Sequence, residues 1–219
     1  MVALIVDGEA RVLARESVRT PTAAGGTAIA DAAAELLRAL AARSRTRLHG
    51  IGVGTAGVVD SARGVITASS DTFTDWAGFP LAAELGRRTA LPIHVENDVN
   101  AFLIGEASAR PRERDLLAVM LGTGVGGALL LDGRVRHGVH GSAGEIGHTP
   151  GYSDLVCTCG QTGHLETVAS GKSIGLRYGE RTGVTGLSAD GVAERARAGD
   201  VDARAVFHTA GRALALACA

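Results

Sequence analysis

Apolar residues along this chain fall into short runs that glycine or aspartate separates. Residues 1–6 form one such run, Asp7-Gly8 follows it, and a second apolar run occupies residues 12–14. Two apolar runs joined at Asp-Gly predict a β-hairpin, and Asp132-Gly133 repeats this turn signal later in the chain. The sequence is therefore expected to open in the middle of a sheet.

Longer segments with helical periodicity lie between the predicted strands. Residues 28–43 are rich in alanine and leucine, place Leu36, Leu37 and Leu40 on one face, and follow Thr27, an N-cap candidate. Other helices are predicted at residues 80–89, at 99–109 and from 167 onward, and other strands at residues 48–53, 92–95, 116–121 and 128–131. This alternation of strands and helices indicates an α/β protein.

Composition narrows the classes of partner. The 219 residues are 46% hydrophobic, which is enough for one substantial core split into two lobes. The formal charge is -1 and no basic block occurs, so no nucleic acid and no membrane surface is expected as a partner. There is no signal-peptide pattern and no apolar run as long as a membrane span. Three cysteines fit a reducing compartment, and a cytoplasmic protein is expected.

Three polar residues, Glu96, Asn97 and Asp98, follow the predicted strand at residues 92–95 and precede the helix at 99–109. Because α/β proteins usually place their chemistry at the carboxyl ends of strands, these side chains are candidates for a functional site. Asp98 also stands where a helix N-cap is expected, which is a common structural role of aspartate. Both interpretations of Asp98 can hold at once.

A glycine-rich bend lies between two predicted strands. Its backbone N–H groups can form a concavity for anionic oxygens, with a threonine hydroxyl as a further donor. The alternative is a simple tight turn, which a lone glycine-rich bend favours. The candidate phosphate-binding residues are Gly122, Thr123, Gly124, Gly126 and Gly127.

Residues 145–166 contain two thiols, two imidazoles and, at the two ends, the carboxylates of Glu145 and Glu166. Cys157, Cys159, His148 and His164 are suitable ligands for a four-coordinate zinc ion, and two thiolates with two neutral imidazoles balance its charge. The alternatives are a glycine-rich surface loop and a Cys157–Cys159 disulfide, which needs strained geometry across a single residue. Spacing alone leaves structural zinc, catalytic zinc and a redox pair open.

Together these motifs resemble the ROK family of bacterial sugar kinases and sugar-responsive repressors. The bend at residues 121–129 with Gly138, Gly144 and the Gly147-His148 pair fits the family signature. Residues 95–101 resemble its catalytic segment, residues 52–60 its glycine-rich strand, and residues 157–160 its zinc motif. The resemblance extends over essentially the whole chain, with the motifs in the family's order.

The resemblance implies an actin-like, hexokinase-like α/β fold of the ribonuclease H-like type, with two lobes around a cleft. The N-terminal lobe would be residues 1–98, and the C-terminal lobe residues 99–219 with a zinc loop at 148–164. Asp98 would be the general base for a sugar hydroxyl, and the zinc would be structural. By resemblance the sugar-contacting residues are Asn97, Glu145, His148 and Glu166, and the zinc ligands are His148, Cys157, Cys159 and His164.

The implied function is ATP-dependent phosphorylation of a hexose or N-acetylhexosamine, with Mg²⁺ accompanying ATP. The alternative is the sugar-sensing effector domain of a repressor. Family kinases have a first strand and phosphate loop before the point where this chain starts, and an adenosine-contacting segment beyond the point where it stops. The N-terminal lobe is thus expected to be incomplete, and these 219 residues alone are expected to lack full activity. Many members carry cysteine at the position of His164 and proline at that of Ala56. The family is often dimeric, so a homodimer is an expectation.

Overall fold

A computed structural model describes residues 1–44, 47–70 and 72–219 of the chain. The chain divides into two compact units, Met1–Ala101 and Phe102–Ala219, and each is described by itself. Within the described residues, no helix combines the length and the apolar character that crossing a bilayer requires.

The first unit opens with the predicted hairpin, but its turn is wider than Asp-Gly. Strand β1 (Val2–Val6) pairs antiparallel with β2 (Val12–Ser17). The Asp7 carboxylate accepts the backbone N–H groups of Glu9 at 3.0 Å and Arg11 at 2.9 Å, and Ala10 has a positive φ of 60°. The side chain of Asp7 therefore organises a five-residue loop, where a two-residue turn was predicted.

Helix α1 (Gly25–Ala42) packs against helix α2 (Leu81–Thr89). It begins before Thr27, and its N-cap is Ala24 without a side-chain bond, so the prediction of Thr27 as the cap was wrong. The reason is close packing, since a Cβ on Gly26 would lie 2.4 Å from the ring of Phe79. One cluster of buried core residues in this unit contains Ile29, Ala30, Val59, Ile66, Trp76, Leu81, Leu85 and Val95.

A parallel strand pair positions the polar segment of the first unit. Strand β3 (Ile51–Thr55) pairs with β6 (Ile93–Asn97), so that Thr55 lies beside Asn97 at their carboxyl ends. Helix α3 (Asp98–Ala109) begins at the next residue. In the sequence between β3 and β6, β4 (Val58–Asp60) and β5 (Val65–Ala68) form an antiparallel pair.

The second unit has a three-stranded antiparallel sheet in the order β7 (Leu116–Leu121), β8 (Val125–Leu131), β9 (Arg134–Val135). The predicted Asp132-Gly133 turn is confirmed, with φ of 55° and 74° at its two residues, as a type I′ turn requires. Strand β8 begins three residues earlier than predicted. Gly126 and Gly127 are therefore strand residues, and the bend itself is restricted to residues 122–124.

Four helices follow the loop of residues 136–165, namely α4 (Glu166–Ala169), α5 (Gly171–Thr182), α6 (Ala189–Arg197) and α7 (Val201–Ala217). The side chains of Ser170, Ser188 and Asp200 cap α5, α6 and α7, which explains where these helices begin. Their core is built on Leu165, Tyr178, Val192, Val206 and neighbouring alanines.

Candidate functional site

The junction between β6 and α3 is capped by Asn97. The Asn97 side-chain oxygen accepts the backbone N–H groups of Val99 at 2.9 Å and Asn100 at 3.1 Å, and its amide donates to the Gly57 carbonyl at 3.1 Å. Asn97 thus performs the capping role that the sequence offered to Asp98. The Asp98 carboxylate accepts the N–H of Val99 at 3.0 Å, and the residue is exposed at the start of the helix.

A buried carboxylate lies beneath this cap. Glu96 is 4% exposed, and its Oε1 accepts the backbone N–H of Asn97 at 2.9 Å and the side-chain amide of Asn100 at 3.1 Å. Its Oε2 accepts the hydroxyl of Ser61 at 2.9 Å. These hydrogen bonds satisfy the buried carboxyl group and fix the backbone that presents Asp98.

In the second unit, glycines allow backbone segments to approach β8 closely. A Cβ on Gly147 would lie 2.0 Å from the Val125 carbonyl oxygen, and one on Gly127 would lie 2.3 Å from the Gly144 carbonyl oxygen. Gly144 itself has a positive φ of 89°. These glycines are therefore explained by packing of the 144–148 segment on the strand, independently of any phosphate.

Glu166 connects the bend with the cysteine-containing loop. Its Oε2 accepts the backbone N–H of Val125 at 3.1 Å, and its Oε1 accepts the Thr158 hydroxyl at 2.9 Å. A Cβ on Gly124 would lie 2.3 Å from the Glu166 carboxylate, so a larger residue there would displace that carboxylate. The half-buried carboxylate is thus held from two sides at the point where the bend meets the loop.

Four potential metal ligands converge in this loop. One ligand atom from each of His148, Cys157, Cys159 and His164 lies within 4.8 Å of the others. The Nδ1 atoms of the two histidines are 3.3 Å apart, Cys157 Sγ lies 3.7 Å from Nδ1 of His148, and Cys159 Sγ lies 3.3 Å from Nδ1 of His164. His164 and Cys157 are buried, and all three cysteines of the chain are free thiols, so the alternative disulfide is not formed.

These distances fit a tetrahedral zinc ion. Bonds of ~2.0–2.1 Å to nitrogen and ~2.3 Å to sulfur place two nitrogen ligands ~3.3 Å apart and a nitrogen and a sulfur ~3.6 Å apart. Without a cation, burial raises the pKa of the Cys157 thiol, and a hydrogen bond from the backbone of Cys159 opposes this rise only in part. A divalent cation would reverse that preference, since a coordinating thiol is deprotonated. The donor set is complete at four, which leaves no position for a reacting water.

Glu145 lies half-buried immediately before a single helical turn at Ile146–His148. The structure therefore assembles Glu145, His148, Glu166, the bend and the four potential metal ligands within the second unit, whereas Asn97 and Asp98 belong to the first. Sequence reasoning placed Glu96 among the candidates without giving it a role, and it missed Ser61 and Thr158. The signal for Glu96 was its position beside Asn97, but its partner Ser61 is 35 residues away.

A cavity of about 800 Å³ lies beside the bend. It is bounded by Gly122 and Thr123, by one face of α5, and by residues 185–190 at the start of α6. No sequence pattern indicated it, because it forms between segments about 50 or more residues apart.

The whole chain, residues 1–219, matches the family model described as ROK family. It is 38% identical over 156 residues to a glucokinase of Halalkalibacterium halodurans, covering 69% of this chain and 44% of that protein. It is 30% identical over 217 residues to an N-acetylmannosamine kinase of Salmonella arizonae, covering 98% of this chain and 72% of that protein. The chain thus spans less than half the length of that glucokinase.

Solved structures of ROK family proteins are also similar to this chain. A ROK family glucokinase from Streptomyces griseus in complex with glucose and AMPPNP superposes with a TM-score of 0.82 at 30% identity, over 97% of this chain and 72% of that one. A ROK family transcriptional regulator, a homologue of the E. coli MLC protein, gives 0.83 at 25% identity, over 99% of this chain and 58% of that one. The fold is the actin-like α/β fold of ROK hexokinases and glucokinases, as predicted. The chain belongs to the ROK family.

Proposed function

We propose that this chain is the sugar-binding and catalytic part of an ATP-dependent sugar kinase acting on a hexose or N-acetylhexosamine. The observation that supports this most is the junction at Asn97 and Asp98. Asn97 caps α3 and leaves the Asp98 carboxylate exposed at the carboxyl end of a parallel strand. The relatives named glucokinase and N-acetylmannosamine kinase support the same class.

Asp98 acts as the general base in this proposal. Its carboxylate accepts the proton of the sugar hydroxyl, most simply the 6-hydroxyl, while the hydroxyl oxygen attacks the γ-phosphorus of ATP and ADP leaves. Phosphoryl transfer needs little covalent chemistry from the protein, so one positioned carboxylate with phosphate-binding groups is sufficient. Gly122, Thr123 and Gly124, with Gly126 and Gly127, would bind the phosphates, and Mg²⁺ would arrive with ATP and neutralise their charge.

Asn97, Glu145, His148 and Glu166 are the proposed sugar contacts. Carboxylates, amides and imidazoles suit sugar hydroxyls, because a pocket built for paired hydrogen bonds rejects a ligand that leaves one unpaired. Asn97 and Glu166 each already hold backbone groups, so both would contact the sugar with their remaining hydrogen-bonding capacity.

Zinc, held by His148, Cys157, Cys159 and His164, would be structural in this proposal. The Nδ1 atom of His148 faces the other ligands, which leaves Nε2 for the sugar. A metal on one ring nitrogen fixes the tautomer and the direction of the other, so the ion would position a substrate contact.

Asp98→Asn in the protein as its gene encodes it tests the role of the base. The substitution keeps size and hydrogen bonding but removes the proton acceptor, so turnover with ATP, Mg²⁺ and the best sugar of a hexose panel should fall about 10²- to 10⁴-fold. Sugar affinity should stay within about threefold of the parent protein. Glu194→Gln, the same change at an exposed carboxylate in α6, serves as the control. Unchanged turnover in Asp98→Asn would refute the assignment of the base.

A sugar-sensing effector domain of a repressor is the second candidate. It is favoured by the TM-score of 0.83 to a ROK family transcriptional regulator over 99% of this chain. In that case sugar binds stoichiometrically but no ATP is consumed, and the gene encodes a helix-turn-helix segment ahead of residue 1. The exposed Asp98 favours the kinase.

A further inference from the structure

A positively charged side chain, that of Lys172, lines the cavity beside the bend, and the proposed function gives it no role. Lys172 is the only lysine in the 219-residue sequence, whose other basic residues are arginines and histidines. It lines the same cavity as Gly122 and Thr123 and is exposed there. In the part of the chain that the structure describes, no acceptor forms an ion pair or hydrogen bond with its ammonium group.

The backbone fixes this lysine next to the bend. The N–H of Gly171 donates to the Gly122 carbonyl oxygen at 2.8 Å, and a Cβ on Gly171 would lie 2.7 Å from that same oxygen. The first residue of α5 is therefore in direct contact with the bend, and Lys172 follows it. The distance from the proposed phosphate-binding backbone to Lys172 is consequently set by the fold.

The cavity has different chemistry at its two ends. From Lys172, α5 extends ~12 Å along the cavity to Glu180, at 1.5 Å per residue. Gly175 and Gly179 bring this helix against residues 184–187, since a Cβ on Gly175 would lie 2.2 Å from the Leu187 carbonyl oxygen. The end near Thr123 carries the positive charge, while Glu180 and Asp190 place acceptors elsewhere along the wall. Phosphates suit the first end, and the hydroxyl groups of a ribose suit the carboxylates.

We propose that Lys172 is a phosphate-binding residue, whose ammonium contacts the terminal phosphates of a nucleoside triphosphate held by the Gly122-Thr123 bend. This rests on the proposed function for the identity of the nucleotide. Lysine binds phosphate as a compact, mobile point charge, which fits a position at the end of an exposed helix turn. This contact adds to the phosphate site one positively charged side chain that the sequence motifs did not include.

A labelling experiment tests the position directly. Adenosine diphosphopyridoxal carries an aldehyde where ATP carries its terminal phosphate. The aldehyde forms an imine with an amine and releases water, and borohydride reduces the imine to a stable secondary amine. Among the 219 residues, Lys172 carries the only side-chain primary amine. Mass spectrometry should find the label on Lys172, with protection by ATP and little protection by glucose 6-phosphate. Absence of label from Lys172, or protection by glucose 6-phosphate in preference to ATP, overturns the proposal.

Binding measurements separate a phosphate contact from a structural role. Lys172→Met should weaken ATP and tripolyphosphate binding roughly tenfold at low salt, less at high salt, and leave adenosine binding unchanged. Arg212→Met removes an equally exposed cation from α7, outside the cavity, and should change none of these affinities. Equal losses for ATP and adenosine in Lys172→Met, or no ATP binding by the parent protein, contradict the proposal.

Sugar phosphorylation by the parent protein is measured in the same preparation. Normal turnover with label elsewhere than Lys172 overturns this inference and leaves the kinase function standing. Labelled and ATP-protected Lys172 without any sugar turnover keeps the nucleotide contact and overturns the kinase function.

Discussion

The two regions that carry the candidate chemistry are stabilised in different ways. At the junction of β6 and α3, the side chains of Glu96 and Asn97 are buried and bind backbone and side-chain groups within 3.1 Å. The loop at residues 144–166 has four glycines with positive φ, and its regular structure is a single helical turn at Ile146–His148 and a bridge between Val156 and Thr162. The junction is organised by the chain's own hydrogen bonds, whereas the loop presents four ligand atoms that a metal would bind together.

Removal of the metal should give the largest effect that distinguishes the loop from the junction. Chelation, or Cys157→Ser, should lower sugar affinity about 10- to 100-fold, because the direction of His148 is then no longer fixed. The fluorescence of Trp76, which is 2% exposed in the core of the first unit, should stay unchanged. Cys218→Ser, at an exposed cysteine far along the sequence from the loop, is the matched control.

Metal analysis with sugar titration reads out this experiment. The parent protein and Cys218→Ser should each contain one zinc per chain, and Cys157→Ser should contain much less. A metal-free protein that binds sugar with the parent affinity would show that the loop needs no ion.

The buried carboxylate of Glu96 gives the second largest effect, on stability. Glu96→Ala leaves the amide of Asn100 and the hydroxyl of Ser61 without their acceptor, so the free energy of unfolding should fall by ~2–3 kcal/mol. Glu96→Gln keeps an oxygen for Asn100 and should lose less. Urea unfolding followed by Trp76 fluorescence measures the stability of both variants. Chelation of the metal should leave the difference in stability between them unchanged. An equal loss in the two variants would show that the oxygen kept by Glu96→Gln contributes nothing to stability, which would contradict this account of the hydrogen bonds.

A smaller, pH-dependent effect is expected in the helical core of the second unit. The hydroxyl of Tyr178 donates to Asp200 at 2.6 Å and holds the pKa of that carboxyl below its ordinary value of 3.8, helped by the N–H groups of Ala203 and Asp202. A lowered native pKa gives stability that is present above the unfolded pKa and is lost as pH falls through the native pKa. Tyr178→Phe should therefore lower the melting temperature at pH 7, and the difference from the parent should shrink towards pH 3. A difference that is constant over this range would contradict the linkage.

Sequence patterns predicted the local features of the fold well. The bounds of β7 and the Asp132-Gly133 turn depend on neighbouring residues, and both were correct. The start of α1 was wrong because it depends on the distant ring of Phe79, which requires glycine at position 26. Local signals such as Thr27 cannot report a contact of this kind.

The same distinction applies to the candidate site. Cys157, Cys159 and His164 are close in sequence, so their spacing was sufficient to predict that they would converge with His148. Glu166 was singled out by resemblance, but its bond to the N–H of Val125 joins positions 41 residues apart and no pattern indicates it. The capping role of Asn97 in place of Asp98 likewise required the geometry of the junction, because both residue types are good caps.

Direct detection of the product tests the central proposal, that this chain belongs to an enzyme that phosphorylates a sugar. The protein as its gene encodes it is incubated with ATP, Mg²⁺ and, separately, glucose, N-acetylmannosamine and N-acetylglucosamine, and the products are followed by phosphorus NMR. We predict that a sugar phosphate forms together with an equal amount of ADP for at least one of these sugars, and that Asp98→Asn forms it about 10²- to 10⁴-fold more slowly. Stoichiometric sugar binding without any sugar phosphate would contradict the kinase and favour the sugar-sensing repressor.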